Sequence, residues 1–328
     1  MRSVSFGIAL ILAALTGPAT AQTYAPPQHT APPPMLEMLP PEAIRAMADQ
    51  GTSIERDRQP GWTLAEHRRL YSALATLKPQ RAGVVDAYVL AVGLDSDPNF
   101  GREAREAGRV LSRRYGAEGH TLVLAGTDGT AESTLPIGSP EAVGAALARI
   151  AELMDVKEDV LILYTTSHGA PFGIVYNDAD QGFGAISPTR LWTLLTTLGI
   201  RRRVLLISAC YAGVFVPMLA SDDTAIITAA DSDHTSFGCQ ADADWTFFGD
   251  ALINTALRKP QPLAAAGAEA VKTIGTWEKQ GDLTPSNPQM SIGADAKTWL
   301  ATLEAKLPPE TPKTGRPATS LLAALPKH

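Results

Sequence analysis

Two short apolar runs, each ending in a reactive side chain, constrain this chain more than any other feature. Residues 160–164 lead into His168, and residues 204–207 lead into Cys210. Their length and their content of β-branched residues predict buried strands of a parallel sheet. Because ligands bind beyond the carboxyl ends of such strands, we expect His168 and Cys210 to meet at one edge of the sheet.

A cysteine beside a histidine is typical of an activated thiol nucleophile. A free thiol with a pKa near 8.5 is only a few per cent thiolate at neutral pH, so it gains from a nearby imidazole. Gly169, directly after His168, has no Cβ and can bring its N–H close to a substrate. The alternative for His168 is a structural histidine at the end of a strand. The pattern requires no cofactor.

Strands alternate with helices along the chain, which predicts an α/β fold with a mainly parallel sheet and helices on both faces. The predicted strands are residues 84–92, 121–125, 160–165, 204–208 and 224–228. The predicted helices are residues 41–49, 63–77, 102–115, 140–154, 188–198, 245–257, 262–280 and 294–307.

The amino terminus has the pattern of a signal peptide. Arg2 supplies a positive start, residues 6–15 are apolar but too short to span a bilayer, and residues 19–21 fit a small-residue cleavage site. Residues 1–21 are therefore predicted to be removed on export, for a Gram-negative source to the periplasm, with no membrane insertion afterwards. Residues 22–60 read as a Pro-rich arm, and residues 308–328 as a loose tail.

Charge and spacing exclude several kinds of partner. The net charge of −6 argues against nucleic acid, which usually requires a concentrated basic face. The six histidines lack metal-ligand spacing. The acidic segment 178–182 lacks the later ligands of a calcium loop and predicts a turn. We therefore expect neither a metal nor a cofactor.

The two cysteines, Cys210 and Cys239, leave an alternative open. In an oxidising compartment two cysteines often form one disulfide. Cys210, however, ends a buried strand and precedes a turn of small residues, as a nucleophile does. Cys239 is then a buried thiol near the cleft or a redox partner of Cys210.

The segments around both strand ends resemble the legumain family of cysteine peptidases, in the caspase-like clan. The resemblance rests on Ser-His-Gly-Ala at 167–170 and Ala-Cys-x-x-Gly at 209–213, and it continues through residues 227–239 and 244–250. It implies a caspase-like peptidase domain over residues 61–307, with its core at 84–258. It also implies that the amides of Gly169 and Cys210 stabilise the oxyanion.

The same resemblance implies a set of substrate-binding residues. Arg102, with Arg105 as an alternative, and Asp250 match pocket residues that suit an Asn side chain. Ser236 and Phe237 match the strip that pairs with the substrate backbone. Asn99 matches an orienting residue near the histidine. The substrate-binding set is Arg102, Asp250, Ser236, Phe237 and Tyr211.

Two departures from the family loosen the expected specificity. Tyr211 and Ser208 stand where relatives have glutamates. The sequence therefore predicts an exported cysteine endopeptidase that acts on peptides, possibly after Asn or Asp. Two alternatives remain: an inactive caspase-shaped binding module with a Cys210–Cys239 disulfide, and a transpeptidase that uses the same thioester.

Overall fold

The structure, a computed structural model, describes residues 24–27, 29, 33 and 39–324. The expected signal peptide, residues 1–21, lies outside the described residues, as do residues 325–328 at the other end. Within the described part, none of the helices combines the length and apolar character needed to cross a bilayer.

The centre of the described chain is a six-stranded sheet in the order β10–β9–β8–β4–β2–β3, parallel except for β10. The four inner strands, β2, β4, β8 and β9, are buried because helices cover both faces of the sheet. The mainly parallel sheet confirms the fold class that the sequence predicts. Its strands are β2 Ala87–Gly93, β3 Thr121–Leu124, β4 Val160–Thr166, β8 Arg203–Ser208, β9 Thr224–Thr228 and β10 Gln289–Ile292.

A smaller antiparallel sheet, absent from the sequence prediction, lies beside the carboxyl end of β4. Its order is β1–β7–β6–β5, and β6 and β7 form a hairpin across the acidic turn at 179–181. The strands are too short and too rich in glycine to show a clear alternation, which is why the sequence indicated only a turn. They are β1 Ile54–Glu55, β5 Gly169–Ala170, β6 Gly173–Asp178 and β7 Gly182–Ile186.

Helices pack on both faces of the central sheet, over two separate apolar clusters. α3, α7 and α8 cover one face, and α2, α4, α5 and α6 cover the other. Ser139 and Ser187 cap α4 and α5 through their hydroxyl groups, which accept hydrogen bonds from the N–H groups of Ala142 and Arg190. The helices are α1 Pro41–Gln50, α2 Pro60–Leu74, α3 Pro98–Tyr115, α4 Pro140–Leu153, α5 Pro188–Thr197, α6 Val216–Leu219, α7 Leu263–Gln280 and α8 Ala294–Leu303.

The segment 245–257 is not the regular α-helix that its apolar residues predict. It contains a π-helix, Gly249–Ile253, and a 3₁₀ turn, Ala256–Arg258. A Cβ at position 249 would lie 2.2 Å from Oε2 of Glu103, so only glycine fits against that carboxylate. The close approach and the side-chain bonds of Asn254 accompany the irregular turn, a feature often found near functional sites.

The described part of the C-terminal segment, residues 308–324, packs on the body, whereas its composition predicts a loose tail. The indole of Trp245 donates a hydrogen bond to the carbonyl of Thr314 at 2.8 Å. Ala318 is 2% exposed, and its N–H donates to Asp250 at 2.8 Å. These backbone groups are paired with side chains of the body, which is a specific attachment that composition does not reveal.

One fully buried carboxylate, that of Glu103 on α3, ties the two central strands together. Its Oε1 accepts hydrogen bonds from the hydroxyls of Tyr164, of Thr166 at 2.7 Å, of Ser208 at 3.1 Å and of Thr246 at 3.2 Å. Its Oε2 accepts from the Thr246 N–H at 2.7 Å. A buried carboxylate is tolerated only when it accepts several hydrogen bonds. The burial of Glu103 therefore depends on these donors, and the buried donors depend on Glu103 as their acceptor.

We expect Glu103→Ala to lower the free energy of unfolding by about 3 kcal/mol or more, because it leaves several buried donors without an acceptor. Chemical denaturation measures this change. Glu132→Ala, at an exposed position, is the matched control and should change stability by less than about 0.5 kcal/mol. Equal stability of the two variants would contradict the assigned role.

Candidate functional site

The register of β4 and β8 brings His168 and Cys210 to the same edge of the sheet. Thr166 pairs with Ser208, and each candidate lies two residues beyond its member of that pair. The Ser167 N–H also donates to the Ser208 carbonyl at 3.1 Å, so the two chains stay together past the strand ends. The meeting that the sequence predicts is present.

Gly169 lies directly against the backbone of Cys210. A Cβ built on it would stand 2.0 Å from the Cys210 carbonyl oxygen and 2.9 Å from its nitrogen. No side chain fits at such a distance, so a glycine is required here. The two backbone segments that the resemblance assigns to the oxyanion are therefore neighbours.

The chain turns sharply after Cys210. Tyr211 has a φ of 57° and a ψ of 15°, in the left-handed region that is uncommon for residues other than glycine. Its N–H donates to the carbonyl of His234 at 2.9 Å. Gly213 follows, where a Cβ would lie 2.5 Å from the backbone of Asp231. This turn directs the chain away from the sheet and leaves Cys210 half-buried at its edge.

The sulfur of Cys210 is surrounded by hydrogen-bond donors. The Cys239 thiol has the largest effect, and the hydroxyl and N–H of Ser236, at 3.6 and 3.2 Å, add to it. Together with the charge of His168 they outweigh burial and lower the pKa of Cys210 to about 6. A thiol with this pKa is largely thiolate at neutral pH, the form that acts as a nucleophile.

Cys239 and Cys210 are both free thiols, in hydrogen-bond contact with one another. This contact and burial raise the pKa of Cys239 well above its ordinary value, so it stays protonated and donates. The expectation that Cys239 lies near the cleft agrees with this placement. Whether the two thiols form a disulfide in the native environment stays a prediction.

Ser236 and Phe237, expected to bind the substrate backbone, lie on the segment that passes Cys210. The carbonyl of Ser236 is 3.7 Å from the Cys210 sulfur. The Phe237 carbonyl already accepts from the Phe247 N–H at 2.9 Å, and the two rings pack with centroids 5.8 Å apart. Phe237 thus anchors the segment to the apolar cluster, and its pairing with substrate stays a prediction.

Arg102 links two loops beside this segment. Its guanidinium donates to the carbonyl of Asp128 at 2.8 Å and to the carbonyls of Ala241 and Ala243 at 2.9 and 2.5 Å. The alternative, Arg105, lies on α3. Its guanidinium donates to the carbonyl of Gly101 and to the hydroxyl of Ser133, so it holds the helix to the neighbouring loop. Burial lowers the pKa of both guanidinium groups. The pocket role of Arg102 stays a prediction.

Asp250 is buried, 3% exposed, and its carboxylate is occupied by protein donors. One oxygen accepts from the Asn254 side-chain amide and the other from the Ala318 N–H, both at 2.8 Å. These bonds fasten the C-terminal segment. The structure therefore gives Asp250 an architectural place, and its predicted contact with a substrate side chain stays untested.

Asn99, the expected orienting residue, opens α3 close to His168 and is 1% exposed. Its neighbour Phe100 packs edge-on against the His168 ring, with centroids 5.1 Å apart. Neither amide atom of Asn99 has a hydrogen-bond partner among the described residues. Packing by Phe100 therefore holds the imidazole in this structure, rather than a bond from Asn99.

Comparison with known proteins agrees with this geometry. Residues 137–273 match the sequence model of the Peptidase C13 family, and the segment includes His168, Cys210, Ser236 and Asp250. This match covers less than half of the chain and supports a cysteine peptidase similar to legumain. Arg102 and Asn99 lie outside the matched residues. The substrates of a peptidase are peptides.

One solved structure that is similar to this chain is a caspase. Caspase-1 from Spodoptera frugiperda has a TM-score of 0.43 and 13% sequence identity, over 65% of the peptidase and 92% of the caspase chain. No curated protein matches the peptidase.

Two residues of the site were not assigned these roles from the sequence. Glu103 follows Arg102 in an amphipathic helix, where a glutamate normally indicates an exposed face. Here its carboxylate accepts hydrogen bonds from both β4 and β8. The sequence predicts that the Cys239 thiol lies near the cleft, but not that it donates a hydrogen bond to Cys210. The signal for such a contact is that Cys239 is the second of two cysteines and follows the fifth predicted strand among small residues.

We expect Cys239→Ala to raise the pKa of Cys210, because the variant removes the donor with the largest effect on the thiolate. The rate of iodoacetamide alkylation, followed against pH, should then rise at higher pH than in the unaltered peptidase, whose Cys210 has a pKa of about 6. In this variant Cys210 is the sole cysteine, so the labelled site is unambiguous.

Cys239→Ser keeps a donor at the same place and is the matched control. Its alkylation profile should lie between those of the unaltered chain and Cys239→Ala. If all three profiles coincide, the neighbouring thiol does not set the acidity of Cys210.

Proposed function

We propose that the peptidase is an exported endopeptidase in which Cys210 is the nucleophile and His168 the acid. The observation that carries this proposal is the shared edge of β4 and β8, where a Cβ built on Gly169 would stand only 2.0 to 2.9 Å from backbone atoms of Cys210. The low pKa of Cys210 supports it as well.

The reaction follows from the two groups. The Cys210 thiolate attacks the scissile carbonyl carbon, and the developing oxyanion accepts hydrogen bonds from the Gly169 and Cys210 N–H groups. As the C–N bond breaks, protonated His168 gives its proton to the leaving amine. Neutral His168 then takes a proton from the water that attacks the thioester, the C–S bond breaks, and the acid leaves, which restores the Cys210 thiolate and the protonated His168.

The substrate preference that we propose is cleavage after Asn or Asp. Arg102 supports it, because its guanidinium spans the loops beside the segment that contains Ser236. Its buried Nε forms no hydrogen bond with the described residues and lies 3.7 Å from the carboxylate of Asp244. Tyr211 and Ser208, in place of two glutamates, favour a broader preference than that of relatives.

We expect Cys210→Ala to abolish both peptide hydrolysis and labelling by a thiol-directed acyloxymethyl ketone. His168→Ala should lower kcat by roughly 10²- to 10⁴-fold, the usual contribution of a general acid. Ser232→Ala and His67→Ala, both at exposed positions, are the matched controls and should keep full activity. Undiminished turnover by Cys210→Ala would refute the assignment of the nucleophile.

A peptide-library digest tests the preference, with cleaved bonds identified by mass spectrometry. We expect cuts after Asn and Asp, and a loss of this preference in Arg102→Lys, which keeps the charge but not the fork of donors. Asp250→Asn tests whether Asp250 stabilises the fold, binds the substrate side chain, or does both. A fall in stability without a change in the cleavage profile assigns Asp250 to the fold alone.

The same preparation decides between the alternatives. A persistent Cys210–Cys239 disulfide in the non-reduced native protein, with no turnover after isolation, would favour the inactive binding module. Amide products formed with an added amine would favour transpeptidation. Export is tested by cell fractionation, and amino-terminal sequencing should find the mature chain beginning at Gln22.

A further inference from the structure

A second cluster of chemically capable side chains lies beside the His168 edge of the site. His29, from the Pro-rich arm, meets Asp95 and Asp97, which follow β2 and precede α3. One ligand atom of each lies within 4.8 Å of the others. The three come from segments 66 residues apart, which is why histidine spacing in the sequence predicted no metal site.

The carboxylates of this cluster are buried and only partly bonded. Asp95 is 2% and Asp97 8% exposed, and each has one oxygen without a partner among the described residues. Asp95 uses its other oxygen for the Asp97 N–H at 2.8 Å and for Nε2 of His29 at 2.7 Å. Neither carboxylate forms an ion pair with an arginine or lysine in the described part of the chain. The nearest positive charge to these two carboxylates is the imidazole of His29 when it is protonated, and a metal ion bound by the same three groups would supply a larger charge.

Asn177, on β6, adds an independent sign of a ligand. It is 3% exposed, and its amide nitrogen lies 2.9 Å from Nδ1 of His29, so the side chain points into the cluster. Its Oδ1 has no partner among the described residues. Three buried oxygens, from Asp95, Asp97 and Asn177, are therefore left as acceptors around one imidazole.

We propose that His29, Asp95 and Asp97 bind a first-row divalent metal ion, of which Zn²⁺ is the representative. An imidazole with two carboxylates suits such ions, whereas Ca²⁺ and Mg²⁺ prefer sites built of oxygen alone. Nε2 of His29 lies 2.7 Å from Asp95 and 3.9 Å from Asp97, on either side of the roughly 3.3–3.6 Å that separates tetrahedral ligand atoms with bonds of about 2.0–2.2 Å, so small movements would admit an ion.

The opposite nitrogen of His29 has the partner that a metal-bound imidazole needs. Nδ1 lies 3.0 Å from the carboxylate of Asp180, in the turn between β6 and β7. When an ion holds Nε2, Nδ1 carries the hydrogen, and the Asn177 amide then turns its oxygen rather than its nitrogen toward this N–H. Metal-binding histidines commonly donate their second N–H to a carboxylate, which fixes the ring and strengthens its basicity. Asp180 is thus a positioning residue of the site.

The site joins the arm to the catalytic edge. Asp97 directly precedes α3, and Phe100 in the first turn of that helix packs on the His168 ring. Binding of the ion therefore fixes residue 29 against the loop that leads to the imidazole. If cleavage follows Ala21, His29 is the eighth residue of the mature chain, so the mature protein retains this ligand.

Isothermal titration with Zn²⁺, and metal content after dialysis, test the proposal. The full chain carries Cys210→Ala and Cys239→Ala, so that no thiol binds the ion. We expect one ion per chain, weaker binding by on the order of 100-fold or more in His29→Ala and Asp97→Asn, and 10- to 100-fold weaker binding in Asp180→Asn. His67→Ala, an exposed histidine, is the matched control and should bind as the parent does.

Two results would overturn the proposal. The first is no bound Zn²⁺, or equal binding by the parent and His29→Ala. The second is a Tm that His29→Ala lowers but that a chelator leaves unchanged, which would make His29 a protonated partner of the carboxylates. His29→Ala decides the matter even if Asp97→Asn fails to fold, because residue 29 belongs to the arm and not to the sheet or its helices.

Discussion

The carboxylate of Glu103 joins the elements on which the site depends. It accepts hydrogen bonds from Thr166 on β4, from Ser208 on β8 and from Thr246 before the π-helix, all inside the apolar body. Thr166 and Ser208 are the last paired residues before His168 and Cys210. A buried charge gives strong hydrogen bonds only while every donor stays in place, so the position of Cys210 and the integrity of the core depend on the same group.

This arrangement explains why His168 and Cys210 directly follow strands instead of lying in long loops. Paired strands fix the two chain ends, and the crowding of Gly169 against Cys210 fixes the distance between them. The left-handed Tyr211 then turns the chain away at once. Local strain at such a turn is tolerated where the surrounding structure determines it, as the hydrogen bond to His234 does here.

The central sheet and the meeting of His168 with Cys210 were predictable, because buried parallel strands leave continuous apolar runs of β-branched residues. The hairpin of β6 and β7 was not, since its glycines and acidic turn give no alternation. The π-helix at Gly249 depends on a contact with Glu103, 146 positions earlier in the chain, and no local propensity encodes it. The cluster around His29 was likewise invisible, because its members come from three separate segments.

The chemistry of Cys210 changes most between sequence and structure. The sequence predicts that an imidazole activates the thiol, yet the largest contribution to its low pKa comes from the Cys239 thiol, followed by Ser236, with His168 contributing less. A thiolate already stabilised by neutral donors does not need the imidazolium as an ion-pair partner. His168 is then available to protonate the leaving amine, and this division of labour suits a site in which Phe100, rather than a carboxylate, holds the ring.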